Sequence, residues 1–138
     1  MENLTEKQLL GLKMMNRFFG EDLFNELREA SRDDLPSKVG AEYIAENCFS
    51  SYARPGLTFQ QRSLTNIGML IALNRGPELR IHIKAALING LSEEQITEAC
   101  RHAMVYCGVP AGRDALSVAS EIFNEKKTSK GTEKAKLT

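Results

Sequence analysis

From Thr5 to about Lys127 the apolar residues of this chain recur every three or four positions, and no segment alternates cleanly with period two. That spacing puts apolar side chains along one face of a helix, which confines the chain to an all-α architecture. Local signals divide it into about seven helices joined by short turns. Thr5 with Gln8, Thr58 with Gln61 and Ser92 with Gln95 have the spacing of a capping box, in which each pair satisfies two backbone N–H groups at a helix start. Helices are predicted over residues 5–19, 21 to about 32, 36 to about 50, and about 59–73. Three more are opened by Pro77, Ser92 and Pro110, the last ending near Lys127. Arg54-Pro55-Gly56 marks a turn, and Gly90 suits a helix stop. Leu64, Ile67, Met69, Leu70, Ile71 and Leu73 cover most of the girth of the fourth helix, so it is expected at the centre of a bundle or of an oligomer.

The 138 residues fit a single domain over 1–127. The segment 128–138 reads as a basic, disordered tail, because from Lys126 onward five lysines face one glutamate with few apolar residues among them. Formal net charge is zero, which gives no general attraction to nucleic acid or to an anionic membrane. No apolar run approaches the roughly 18 residues of a membrane span, and the first residues carry no secretory leader. Three cysteines without a Cys-x-x-Cys pair argue against a disulfide framework or a zinc site, and a cytoplasmic location is expected.

The segment 77–90 carries the chemistry. At about 100° per residue, Arg80 and Lys84 point to one side, the expected solvent face. Glu78, His82 and Asn89 fall within about 40° of each other on the opposite side, between walls formed by Leu79, Ile83 and Ala86 and by Ile81 and Ile88. Inward polar groups must find partners or line a cavity. Glu78, one turn from His82, is expected to fix the imidazole tautomer and raise its pKa, which would make a proton donor near neutrality. The same geometry also suits a core histidine held by a glutamate and a backbone carbonyl. His102 is expected on the surface, Cys100 and Cys107 in the core, and Cys48 at the end of the third helix without an assigned role. Arg54, Arg62 and Arg75 cluster upstream. Arg62, beside Ser63 in an apolar helix, stands out because a half-buried guanidinium needs a carboxylate partner or a ligand.

Arg54-Pro55-Gly56-Leu57, Arg62-Ser63-Leu64-Thr65, Ile71-Ala72-Leu73-Asn74-Arg75-Gly76, Glu78-Leu79, His82-Ile83-Lys84-Ala85-Ala86-Leu87, Asn89-Gly90 and Tyr106-Cys107-Gly108-Val109-Pro110-Ala111 together resemble the carboxymuconolactone decarboxylase family. The resemblance runs from about Arg54 to Phe123. It implies the alkyl hydroperoxide reductase D-like helical fold and a homo-oligomer, trimer or hexamer, with sites near subunit boundaries. The activity it implies is decarboxylation of 4-carboxymuconolactone to the 3-oxoadipate enol-lactone in protocatechuate catabolism, without metal or organic cofactor. Under that reading His82, oriented by Glu78, both stabilises the dienolate and delivers the proton to carbon, or delivers the proton alone; Arg62, Arg54 and Arg75 anchor carboxylates, and Ser63 and Asn89 line the pocket. The related thiol peroxidases use a Cys-x-x-Cys pair and a glutamate relay. Those positions correspond here to Arg75, Glu78 and Ser63, which disfavours peroxide reduction. Phe49-Ser50-Ser51-Tyr52-Ala53 departs from a Gly-Glu-aromatic-Trp-like stretch of many members, leaving open a family-fold protein that acts on a different lactone or carboxylic acid, or that only binds a ligand or partner without this catalysis.

Overall fold

Helix starts that carry their own caps set the chain's course. In the computed structural model, which describes residues 3–137, Thr5 and Ser92 each accept from the backbone N–H three residues on, and Gln8 and Gln95 return the bond. Asp34 caps a third start by accepting from the backbone N–H of Ser37. The described residues form seven α-helices and no strand: α1 Glu6–Phe19, α2 Glu21–Ala30, α3 Leu35–Tyr43, α4 Phe59–Ala72, α5 Gly76–Ile88, α6 Glu93–Cys107 and α7 Val109–Lys136. Between α3 and α4 lie a π-helical turn, Ile44–Cys48, and a 3-10 turn, Phe49–Ala53. The fold is therefore all-α, as the periodicity requires.

The chain divides into two compact units, Met1–Phe59 and Gln60–Thr138. Met1, Glu2 and Thr138, which end the segments read for a leader and a tail, lie outside the described residues. The first unit is built on aromatic rings. Phe18 meets Phe19, Tyr52 and Phe59 edge-on at 5.0–5.5 Å, and Tyr52 stacks on Phe49 at 4.4 Å. Edge-to-face and offset contacts of this kind add to the burial itself. The stretch 49–53 thus contributes Phe49 and Tyr52 to a core. α3 buries none of its residues, and Leu35, Val39 and Tyr43 make an exposed stripe at one-turn spacing.

The second unit has an aliphatic core in which Ile67, Ile83, Ile96 and Cys100 are fully buried, with Ala115 and Ile122 from α7. α4 and α5 run antiparallel. The turn between them is closed by Arg75 N–H to Leu70 C=O at 3.0 Å, and Gln60 Nε2 donates to Asn89 C=O at the far end at 2.9 Å. Gly90 holds φ +90, which a side chain would strain, and stops α5 as expected. The fourth helix is not enclosed all round: Ile67 and Ile71 are buried, but Leu64, Met69 and Leu73 are exposed.

The last helix does not stop near Lys127. α7 runs to Lys136 and takes in most of the segment expected to be disordered, although every described side chain beyond Phe123 is exposed. Lysine, glutamate and alanine are good helix formers. Thr128, Ser129 and Thr132 return their hydroxyls to the carbonyls four residues back, and Lys134 and Lys136 suit the negative end of the helix dipole.

The closest approach in the first unit is α1 against the π-helical turn. A Cβ on Gly11 would stand 1.7 Å from the Ala45 carbonyl oxygen, while a Cβ on Gly40 of α3 would meet nothing within 4 Å. We expect Gly11→Ala to lower stability by about 1–3 kcal/mol through forced backbone movement. Gly40→Ala should raise it by about 0.5–1 kcal/mol through helix propensity. Urea unfolding of both variants measures the contrast, and equal effects would refute this account of the packing.

A candidate active site on the α4–α5 hairpin

An imidazole on the inward face of α5 must bond across to whatever α4 presents at its level. His82 is partly buried, beside the fully buried Ile83. Its Nδ1 lies 3.4 Å from Nδ2 of Asn66 on α4. The antiparallel hairpin makes this pairing. Gln60 reaches Asn89, so six residues further along α4 Asn66 stands near the level of His82.

The partner expected for His82 was Glu78, and the structure corrects that. Glu78 sits in the first turn of α5, exposed, and makes no hydrogen bond or ion pair among the described residues. One-turn spacing allows contact between two side chains but does not require it, and a carboxylate at a helix start is well solvated and favoured by the dipole. The expected rise in the pKa of His82 is reversed as well. Burial pushes its pKa down, from 6.5 to about 4, because desolvation disfavours the imidazolium. At neutral pH His82 is an uncharged ring.

Asn89 is also explained otherwise. Its side-chain amide donates to the Ala85 carbonyl at 2.8 Å and its own carbonyl accepts from Gln60, which makes it the C-cap of α5. Arg62 and Ser63 do lie on α4 within a turn of Asn66, so Arg62, Ser63 and Asn66 share a polar face. Arg62 is half-buried with its Nε shielded from solvent. Ser63 is 0% exposed, and its hydroxyl finds no hydrogen-bond partner among the described residues. An unpartnered buried hydroxyl costs about 1–3 kcal/mol, which a ligand able to bond it would recover.

The remaining arginines fall elsewhere. Arg54 caps the 3-10 turn of the first unit and is exposed. Arg75 precedes α5 and lines an open groove of about 520 Å³ with Asn74, Leu79, Cys107 and Asp114; His82 is not among the lining residues. Arg80, on the expected solvent side, bridges Glu121 at 2.7 Å and also Glu125 of α7. His102 is exposed against Tyr106, and Cys100 is buried with its thiol pushed up to about 11, as suits inert core sulfur. Cys107 is only half-buried and Cys48 is exposed. Among the described residues no three His, Cys, Asp or Glu side chains converge on a metal position. No described helix is long and apolar enough to cross a membrane.

Asn66 is the site residue that sequence reading missed. Its signal was the spacing Arg62-x-x-x-Asn66, two polar groups one turn apart in a helix whose second half is apolar.

A buried neutral histidine makes stability pH-dependent. Its folded pKa lies below the unfolded value, so between about 4 and 6.5 the unfolded chain binds more protons. The associated stability is intact above about pH 6.5 and declines as pH falls toward 4, by at most about 3 kcal/mol for the shift from 6.5 to about 4. We expect His82→Gln to flatten the acid limb of urea-unfolding stability in that window. An unchanged slope would rule out burial of the neutral ring.

Residues 40–121, more than half of the chain, match the carboxymuconolactone decarboxylase family. A nitrosuccinic acid decarboxylase of Metarhizium robertsii is 36% identical over 117 residues, covering 83% of this chain and 80% of the relative. A 4-carboxymuconolactone decarboxylase of Acinetobacter baylyi is 39% identical over 74 residues, so the match spans 54% of this chain and 55% of that protein. The all-helical fold, the matched span and these relatives agree: the chain belongs to the carboxymuconolactone decarboxylase family.

Proposed function

We propose that this protein is a carboxy-lyase that removes carbon dioxide from a small dicarboxylic acid whose electron pair is received by an oxygen-bearing acceptor group. The observation that carries this reading is the neutral, half-buried His82 facing the polar stripe Arg62, Ser63 and Asn66. In 4-carboxymuconolactone, the first substrate, the bond to the departing carboxylate breaks heterolytically. Its electron pair passes through the conjugated double bond to the lactone carbonyl oxygen, carbon dioxide leaves, and a proton from water completes the new C–H bond. The energetic demand is stabilisation of the developing oxyanion by a donor already in place. His82 meets it through Nε2–H. Arg62 anchors the carboxylate that stays, with Ser63 donating its hydroxyl to the same group. The half-buried guanidinium and the unpartnered hydroxyl support these roles.

A second substrate reading rests on the relative matched over most of both chains, which is named for nitrosuccinic acid. There the electron pair would pass to a nitro group, and the same Nε2–H would meet a nitronate oxygen. The departure at 49–53 fits a substrate other than the lactone, and its aromatic residues serve the first unit's core. Both substrates are compact dianions at neutral pH and need the same three elements.

Carbon dioxide release and absorbance change with 4-carboxymuconolactone and with nitrosuccinate decide between the two. We expect turnover of one, with His82→Ala reducing kcat by about 10²–10³-fold, the usual loss for one oxyanion donor. Ser63→Ala should raise KM while adding roughly 1 kcal/mol of stability by deleting an unsatisfied hydroxyl. Release from neither substrate at any enzyme concentration, or full activity in His82→Ala, would sink the reading.

The exposed Leu35–Val39–Tyr43 stripe and the exposed Leu64, Met69 and Leu73 of α4 support a homo-oligomer. Light scattering should give three or six subunits, and Val39→Glu should lower that number. A monomer in the unaltered protein would reject this assembly.

A further inference from the structure

The proposed role of His82 rests on which ring nitrogen carries the proton, and the structure contains a device that decides it. Nδ1 faces the amide nitrogen of Asn66 at 3.4 Å. An amide nitrogen can only donate, so with Nδ2 facing the ring Nδ1 accepts and the ring proton sits on Nε2. The opposite tautomer would turn two N–H groups toward each other at that distance. The contact is long for a hydrogen bond, so its effect is directional rather than strong.

We infer that Asn66 is a positioning residue that holds His82 as the neutral Nε2–H tautomer, leaving Nε2–H as the donor for the oxyanion of the proposed decarboxylation. An asparagine suits this better than a carboxylate would. An aspartate or glutamate at Nδ1 would accept from it, move the ring proton to Nδ1 and favour the imidazolium. An amide donor does the reverse, because protonating Nδ1 forfeits the bond. The charged residues nearest along the two helices do not take over this function. Arg62, one turn before Asn66 on α4, carries no acceptor, and Glu78, one turn before His82 on α5, is exposed and makes no hydrogen bond to the ring. The hairpin fixes the pairing, since the Gln60–Asn89 bond and the Arg75–Leu70 turn hold α4 and α5 in one register on either side of it.

Asn66→Asp is the informative substitution because it preserves size and reverses the hydrogen-bond polarity at Nδ1. Two-dimensional NMR of the full-length protein with nitrogen-15 histidine, without substrate at pH 7.5, reads the tautomer directly. His82 should show a protonated Nε2 and an unprotonated Nδ1 in the unaltered chain. In Asn66→Asp the proton should move to Nδ1 and the ring should titrate at higher pH. Asn66→Leu should keep Nε2–H but lose ring orientation. With the substrate that turns over, kcat should fall by about 10²–10⁴-fold in Asn66→Asp and about tenfold in Asn66→Leu, with KM moving less in each. Asn66→Gln should recover part of the loss. A protonated Nδ1 in the unaltered protein would overturn the inference, as would an unchanged tautomer in a folded Asn66→Asp. The NMR result is independent of turnover, so failure of the decarboxylase reading would leave the tautomer assignment standing and would be seen separately.

Discussion

A half-buried imidazole whose charged form is desolvated stays neutral near pH 7, and most of the second unit's local chemistry follows from that single constraint. Charging His82 would require a partner anion at its own level of the hairpin, and α4 supplies an amide there instead. The amide matches the neutral ring, and the neutral ring is compatible with the fully buried Ile83 beside it and Ile67 on α4. Replacing Asn66 by a carboxylate would change the charge state, the tautomer and the desolvation balance together. The polar pair and the apolar core around it are therefore one packing solution.

The hairpin itself is held by backbone-level devices remote from the ring. The α4–α5 turn is closed through Arg75 and Leu70, and the open end is tied by Gln60 to the carbonyl of Asn89. Asn89 in turn spends its amide on Ala85. Asn89 thus also acts at the end of the helix, where it helps fix how far α5 runs before Gly90 ends it. The first unit is held by different means, with Phe18 at the centre of a group of rings and Gly11 admitting the backbone at Ala45.

The helical architecture was legible because caps and period-3.6 patterning are local, and each can be read within a few residues. The position of His82 on an inward face was legible for the same reason. Its partner was not. Helical spacing names neighbours on the same helix, and so it offered Glu78, whereas the side chain actually opposite the ring comes from 16 positions earlier across a turn. Pairings between helices depend on register, which no single helix encodes. The pKa error followed directly, since the expected rise came from the wrong neighbour. The end of α7 failed for another reason. Absence of apolar residues was read as absence of structure, while the lysines, glutamate and hydroxyl-bearing residues there favour a solvated helix. A periodicity argument detects apolar faces without saying which of them meet.

Neutrality at His82 also bears on why such a site would accelerate loss of carbon dioxide. A decarboxylase gains nothing by holding the departing carboxylate tightly, because that interaction is strongest in the ground state and disappears as the bond breaks. An imidazolium beside the substrate would do just that. A neutral Nε2–H offers little to a carboxylate and more to an oxygen on which charge is accumulating, so its stabilisation rises along the reaction coordinate. The fixed cation belongs on the carboxylate that stays, and Arg62 on α4 is placed on the polar face where such a group could be anchored. Separating the two tasks between a cation on one helix and a neutral donor on the next requires the donor to remain uncharged when a dianion arrives. A dianion raises the tendency of the ring to take up a proton, and an amide donor at Nδ1 opposes it. The amide of Asn66 is that donor.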